Sequence, residues 1–132
     1  MARILVLDDV ADSGLMIKRI LARQGHEVQV FSDEDEALRF AADHDLELAI
    51  LDVKLPKLDG TEVLAELKKL KPALPAIMLT GFPTKNAAQQ AMRLGAAYCA
   101  KPIEKKDLEE TVAAVLGKAS APADLTRRPG AG

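Results

Sequence analysis

Cysteine, aromatic side chains and basic runs are all scarce in this chain of 132 residues. The only cysteine is Cys99, so no internal disulfide can form, and a reducing compartment fits. Trp is absent and aromatics make up 3% of the residues, which disfavours a surface built to stack bases. The formal net charge is −2 and no long basic stretch occurs, which argues against direct nucleic-acid binding. Long apolar runs are missing as well. The first, at Arg3–Leu7, is cut short by Asp8 and Asp9, so it suits neither a signal peptide nor a membrane span, and the expected location is the cytoplasm. What the chain does have is 48% hydrophobic and 29% charged residues, enough for one globular domain with a single core.

The apolar residues follow two periods in alternation. Arg3–Leu7 suits a strand buried on both faces, and Leu15, Ile17, Ile20 and Leu21 then recur at helical spacing up to Gly25. Glu27–Phe31 alternates like a less buried strand, and Asp33 with Glu36 resembles a capping box that starts a helix through about Asp43. Leu46–Leu51 predicts a third strand that ends on Asp52. Asp59 with Glu62 opens the helix carrying Val63, Leu64, Leu67 and Leu70, which Pro72 ends. Ala76–Leu79 is a fourth strand ending on Thr80. Thr84 can cap a helix bearing Ala88, Ala91, Met92 and Leu94, closed by Gly95. Ala97–Ala100 is a fifth strand ending on Lys101. The last helix holds Leu108, Val112, Val115 and Leu116 and is expected to close at Gly117. Strand and helix thus alternate throughout. The expected fold is α/β: a single doubly wound, five-stranded parallel sheet with helices on both faces and right-handed crossovers. Residues 118–132 are rich in Ala, Pro and Gly and suit a flexible tail or linker after a domain spanning 1–117.

In such a sheet, ligands bind beyond the carboxyl ends of the strands. At that edge the sequence delivers Asp8 and Asp9, then Asp52, Thr80 and Lys101. Carboxylates crowded together repel one another, so some must take protons or a cation must neutralise them. Oxygen ligands of this hardness suit Mg²⁺, which favours one or two carboxylates together with a phosphate oxygen. A carboxylate can also attack phosphorus and form an aspartyl-phosphate. Metal, ammonium and hydroxyl are the groups that stabilise the charge on a transferring phosphoryl group.

The ordered set Asp8–Asp9, the run DVKLPKLDG from Asp52 to Gly60, LTG at Leu79–Gly81 and KP at Lys101–Pro102 resembles a response-regulator receiver domain of two-component signalling, CheY-like, along nearly the whole chain to Gly117. The resemblance implies the flavodoxin-like strand order 2-1-3-4-5. It implies Asp52 as phosphoacceptor and a Mg²⁺ (or Mn²⁺) ion served by Asp8, Asp9, Asp52 and the backbone carbonyl of Lys54. Thr80 would bond a phosphoryl oxygen and move on activation, Tyr98 would be the switch aromatic, and Lys101 would pair with the phosphate. Pro56 and Gly60 match the loop after the acceptor, and the bond from Lys101 to Pro102 is usually cis in the family. A sensor histidine kinase or histidine phosphotransfer protein would donate the phosphoryl group. Output would run through the fourth predicted helix, the fifth strand and the last helix, from about Thr84 to Gly117. It would reach a downstream effector or an output domain removed from beyond the linker, and a phosphorylation-dependent homodimer is a further partner to consider. Such a domain is a signalling module that phosphorylates and dephosphorylates itself and is not an enzyme turning over a substrate. Leu55 stands where the family commonly has methionine, and Gly81 where it has alanine. Phe82 is bulky, and with Lys54 it is expected to restrict water at the phosphate.

Each residue also has a plainer reading. Asp9 could cap the first helix and Asp52 could be a turn residue, while Thr80 could end a strand and Lys101 could be solvated. All of these together at one sheet edge would be coincidence. Tyr98 fits a half-buried position as well as a switch. Cys99 reads as a small buried residue, His26 and His44 as exposed, and the acidic run Ser32–Glu36 as a helix start favoured by the helix dipole. An aspartyl phosphatase often spaces its two acids two residues apart and carries a cap domain, and neither feature is present. A flavin mononucleotide carrier needs a Ser/Thr/Gly phosphate loop where this chain has two aspartates. A domain that had lost phosphorylation would not keep every site residue.

Overall fold

A computed structural model describes residues 2–53, 60–81, 89, 92, 93 and 95–120. The sheet runs β1 (Arg3–Leu7), β2 (Glu27–Phe31), β3 (Leu48–Asp52), β4 (Ala76–Thr80) and β5 (Ala96–Ala100). The described helices are α1 (Ala11–Arg23), α2 (Glu34–Asp43), α3 (Gly60–Leu70) and the C-terminal α4 (Lys105–Ser120). All neighbouring strands pair in parallel, in the order β2-β1-β3-β4-β5. This is the expected fold class and strand order.

The core lies in two layers because successive side chains of a strand point to opposite faces. Ile4 and Val6, Leu48 and Ile50, and Ile77 and Leu79 face Ile17, Ile20 and Leu21 of α1 and Leu108 and Val112 of α4. Leu5 and Leu7, Ala49 and Leu51, and Ala76 and Met78 face Ala37 and Ala41 of α2 and Val63, Leu64 and Leu67 of α3. Strands covered on both faces carry no polar alternation, which is why Arg3–Leu7 reads as one apolar run. Truncating a residue such as Ile50, which is fully buried, typically costs about 2–5 kcal/mol.

Local signals set where the helices begin and end. Asp33 caps α2, its side chain accepting from the Glu36 N–H at 3.0 Å. Gly25 follows α1 with φ at +91°, a left-handed backbone that favours glycine, and Gly95 before β5 has φ at +71°. Gly14 sets how closely α1 approaches the sheet: a Cβ there would sit 2.6 Å from Val30 Cγ1. Asp33, Gly25 and Gly95 act where the sequence places them.

Other expectations need correction. The plainer alternative for Asp9, as the cap of α1, does not hold. The cap is Val10, with no side-chain bond, and the Val10 N–H instead donates to Asp8 Oδ1 at 2.9 Å. Leu15, Leu70 and Met92 are not core residues; they are 45%, 49% and 76% exposed, because α1 turns Gly14 and Ile17 inward, and the other two stand at the outer side of their segments. Gly117 does not end the last helix, which continues to Ser120. Glycine tolerates helical dihedrals, and the packed residues Leu108 and Val112 hold the helix that leads into it. β3 begins at Leu48 rather than Leu46. Lys54, Pro56, Asp59, Phe82, Thr84, Ala88, Ala91 and Leu94 lie outside the described residues. Among the described residues, no helix is long and apolar enough to cross a membrane.

Candidate functional site

The site forms at the carboxyl edge of the sheet because adjacent strands end level with one another. Leu7 of β1 registers with Leu51 of β3, so Asp8 and Asp52 follow at the same height on neighbouring strands. Asp52 registers with Leu79 of β4, and Thr80 registers with Ala100 of β5, one residue before Lys101. The edge is tied by backbone bonds. The Asp8 N–H donates to Phe31 O at 3.0 Å, Val53 N–H to Leu79 O at 2.9 Å, and Lys101 N–H to Thr80 O at 2.7 Å. The Lys101–Pro102 peptide bond is cis.

Asp8, Asp9 and Asp52 each offer a carboxylate oxygen, and these atoms all lie within 4.8 Å of one another. Asp8 and Asp52 are 1% and 6% exposed, whereas Asp9 faces solvent. The Lys101 ammonium bridges the two buried carboxylates, with Nζ 3.1 Å from Asp8 Oδ2 and 2.9 Å from Asp52 Oδ2. Burial by itself would pull the Lys101 pKa down. The hydrogen bonds to Asp52 and Asp8, with the charges of both, outweigh that, and the pKa stands above the ordinary lysine value. Asp8 is fixed from both sides, since Oδ1 accepts from Val10 N–H and Oδ2 from Lys101. Thr80 is 5% exposed at the same edge.

Among the described residues, one ammonium set against three carboxylates leaves an excess of negative charge in a partly dry crevice. The donor set is all oxygen, and the cluster is compact enough for one small, hard cation. It fits Mg²⁺ chemistry. Separate strands bring Asp8, Asp52, Thr80 and Lys101 together, as expected, and Asp9 joins them from the solvent side. Gly60 begins α3. Tyr98 is half-buried on β5, in register with Met78 and packed on the α2–α3 face of the sheet. Cys99 points to the other face and is buried; burial, then the charge of Asp107, pushes its thiol pKa up, away from reactivity.

Sequence reasoning missed three placements. It gave Lys101 only a phosphate to meet, while the lysine holds Asp8 and Asp52 directly. It read the Ser32–Glu36 run as a helix start, which it is, without foreseeing that Glu34 is 1% exposed. It left His26 exposed and without a role, yet the ring is half-buried and its Nδ1 accepts from the Ala2 N–H at 3.1 Å. The parallel register of Arg3 with Glu27 is the signal that would have found the last contact, since it sets residue 26 beside residue 2. His44 is exposed as expected and stacks on Phe40 with ring centroids 4.0 Å apart. A hollow of about 400 Å³, bordered by Lys68, Pro75 and Val115 among others, lies at the opposite edge, near the starts of β4 and β5, away from the carboxylates.

Comparison with known proteins agrees with this geometry. The family model of the response regulator receiver domain matches residues 4–113. The alkaline phosphatase synthesis transcriptional regulatory protein PhoP of Bacillus subtilis (strain 168) is 36% identical over 115 residues, covering 86% of this chain and 48% of PhoP. A receiver domain protein (CheY-like) from Methanospirillum hungatei JF-1 superposes with a TM-score of 0.85 at 33% identity, covering 91% of this chain and 97% of that one. NtrX from Brucella abortus superposes with a TM-score of 0.87 at 33% identity, covering 95% of this chain and 29% of NtrX. The chain therefore spans about half the length of PhoP and less than a third of NtrX.

Proposed function

The chain belongs to the response regulator receiver family, and on that premise we propose that it is a phosphoacceptor switch charged on Asp52. The donor is a sensor histidine kinase or a histidine phosphotransfer protein. An Asp52 carboxylate oxygen attacks phosphorus; the new P–O bond forms as the P–N bond to the donor imidazole breaks, and that electron pair leaves with the imidazole. Lys101, already 2.9 Å from Asp52 Oδ2, turns its charge toward the incoming phosphoryl oxygens, and the Thr80 hydroxyl bonds one of them. Asp8, Asp9, Asp52 and the Lys54 carbonyl would hold Mg²⁺ (or Mn²⁺), which would supply positive charge to offset that of the transferring phosphoryl group. Lys54 and Phe82 limit water access and so set how long the phosphate lasts. Gly60 starts α3 and Pro102 follows Lys101 through a cis bond beside the site, and Pro56 is assigned to the loop after the acceptor on the family resemblance alone.

Movement of Thr80 then lets Tyr98 turn, which shifts the balance between two packings of the segment from about Thr84 to Gly117. That face passes the signal to an effector or to an output domain reached through a linker that follows the last helix, or to a second copy of the chain. Relatives longer than this chain support a separate output unit. The receiver unit is residues 1–117, working in the cytoplasm.

The observation that carries the proposal is the convergence of Asp8, Asp9 and Asp52 within 4.8 Å, with Lys101 on two of them. Incubation with acetyl phosphate and Mg²⁺ followed by intact mass tests it. The expected result is one added phosphoryl group that is lost in Asp52→Ala and blocked by chelator. An unmodified protein in the presence of donor and metal would remove the reading, and multiple turnover on a phosphomonoester would point to a phosphatase instead.

A further inference from the structure

The edge of the sheet opposite the carboxylates carries a separate device, independent of the site and of the function proposed for it. Ala2, just ahead of β1, is held from both sides. Its N–H donates to His26 Nδ1 at 3.1 Å, and its carbonyl accepts from the Glu27 N–H at 2.9 Å. The next residue is also tied: Arg3 N–H donates to Glu47 Oε1 and Arg3 Nε to Glu27 Oε2, both at 3.0 Å, while the Glu47 N–H donates to Arg3 O at 2.9 Å. In this set the His26 contact is the one that proton uptake abolishes, because a ring nitrogen accepts a hydrogen bond only while it carries no proton. We infer that His26 is an acid-sensitive pin, which holds the start of β1 at neutral pH and releases it when the imidazole takes a proton.

The surroundings support a neutral ring at rest. Burial, then the positive amino terminus, lowers the His26 pKa below its ordinary value, and Glu47 opposes them only in part. The other charged groups at this edge are Arg3, Glu27 and Asp45, which line a shallow hollow together with Glu47. The folded pKa is depressed, so the pin's contribution to stability is present above the ordinary value of about 6.5 and is lost as pH falls through the folded value. That window includes mildly acidic conditions, where histidine is the side chain that ordinarily changes charge. Release would loosen Ala2 and the first residues of β1, far along the strand from Asp8.

Amide hydrogen exchange on the whole chain tests this, after correction for the intrinsic rate at each pH. Protection of the Ala2 amide should fall about threefold or more between about pH 7.5 and about pH 4.5 in the native protein. His26→Asn, whose Oδ1 can stand where Nδ1 stands, should keep the protection at both pH values. His26→Ala should lack it at both. In nitrogen NMR, Nδ1 should be the unprotonated ring nitrogen at neutral pH. Flat protection across this range in the native protein would overturn the inference. So would a loss in His26→Asn that parallels the native protein, or a protonated Nδ1 at neutral pH.

Discussion

The two ends of the parallel strands use charge in opposite ways. At the amino end, Arg3 pairs with Glu27 and Glu47 accepts from the Arg3 amide, and these charges stay partly wet, with the Arg3 and Glu27 side chains 35% and 41% exposed. At the carboxyl end, Asp8, Asp9 and Asp52 crowd together, and Lys101 answers only two of them, with the Asp8 side chain fully buried. Acidic groups outnumber Arg3 at the first end too, but there water reaches and screens them. Unmatched charges at the second end are costly to bury, and a cation bound among them would offset that cost. The lesson is that a charged residue at a sheet edge becomes a functional candidate when its charge is both left over and buried, not merely when it is charged.

Changes at the two ends should differ in size and in their response to metal. The largest effect is expected from Lys101→Met, which leaves Asp8 and Asp52 without their ammonium; chemical denaturation in chelator should show a loss of about 3 kcal/mol. The loss should shrink when Mg²⁺ is added. The Lys101 pKa is raised, so its contribution is full below the unfolded value of about 10.4 and is lost as pH rises through the folded value; the gap between native protein and Lys101→Met should close only in alkali. Next in size, Mg²⁺ at about a hundred times its dissociation constant should stabilise the native protein by roughly 2.7 kcal/mol, and Asp8→Asn should reduce that gain. Asp33→Ala, which removes the α2 cap, should cost about 1 kcal/mol with or without metal. The smallest effect belongs to the amino end: Glu27→Gln should cost less than about 1 kcal/mol, fading with salt and indifferent to Mg²⁺. If Glu27→Gln proved metal-dependent, or Lys101→Met proved harmless in chelator, the contrast between the two ends would fail.

Much of this was legible in the residues. Arg3–Leu7, Glu27–Phe31 and Ala76–Thr80 carry their strand character locally, through apolar runs or alternation, and Asp33, Gly25 and Gly95 punctuate the chain by short-range chemistry. Asp8, Asp52, Thr80 and Lys101 were legible because a parallel fold places the residue after each strand at one edge. Other features depend on partners far away in the chain. Leu15 and Ile17 are both apolar and near in sequence, and only the angle at which α1 meets β2 through Gly14 decides that the first is exposed and the second buried. His26 gains its role from Ala2, 24 residues earlier, through the pairing of β1 with β2.

The order of elements, their alternation and the identity of the residues that end each strand are properties of the sequence alone, because strand and helix periods and capping chemistry act over a few residues. Which charges meet was decided by tertiary structure. Lys101 reaches Asp8 across 93 positions and Asp52 across 49, and such pairs exist only once parallel strands align their carboxyl ends. The physical reason is range: backbone preference acts between neighbours, whereas the energy of a buried charge depends on whatever the completed fold brings within a few ångströms of it.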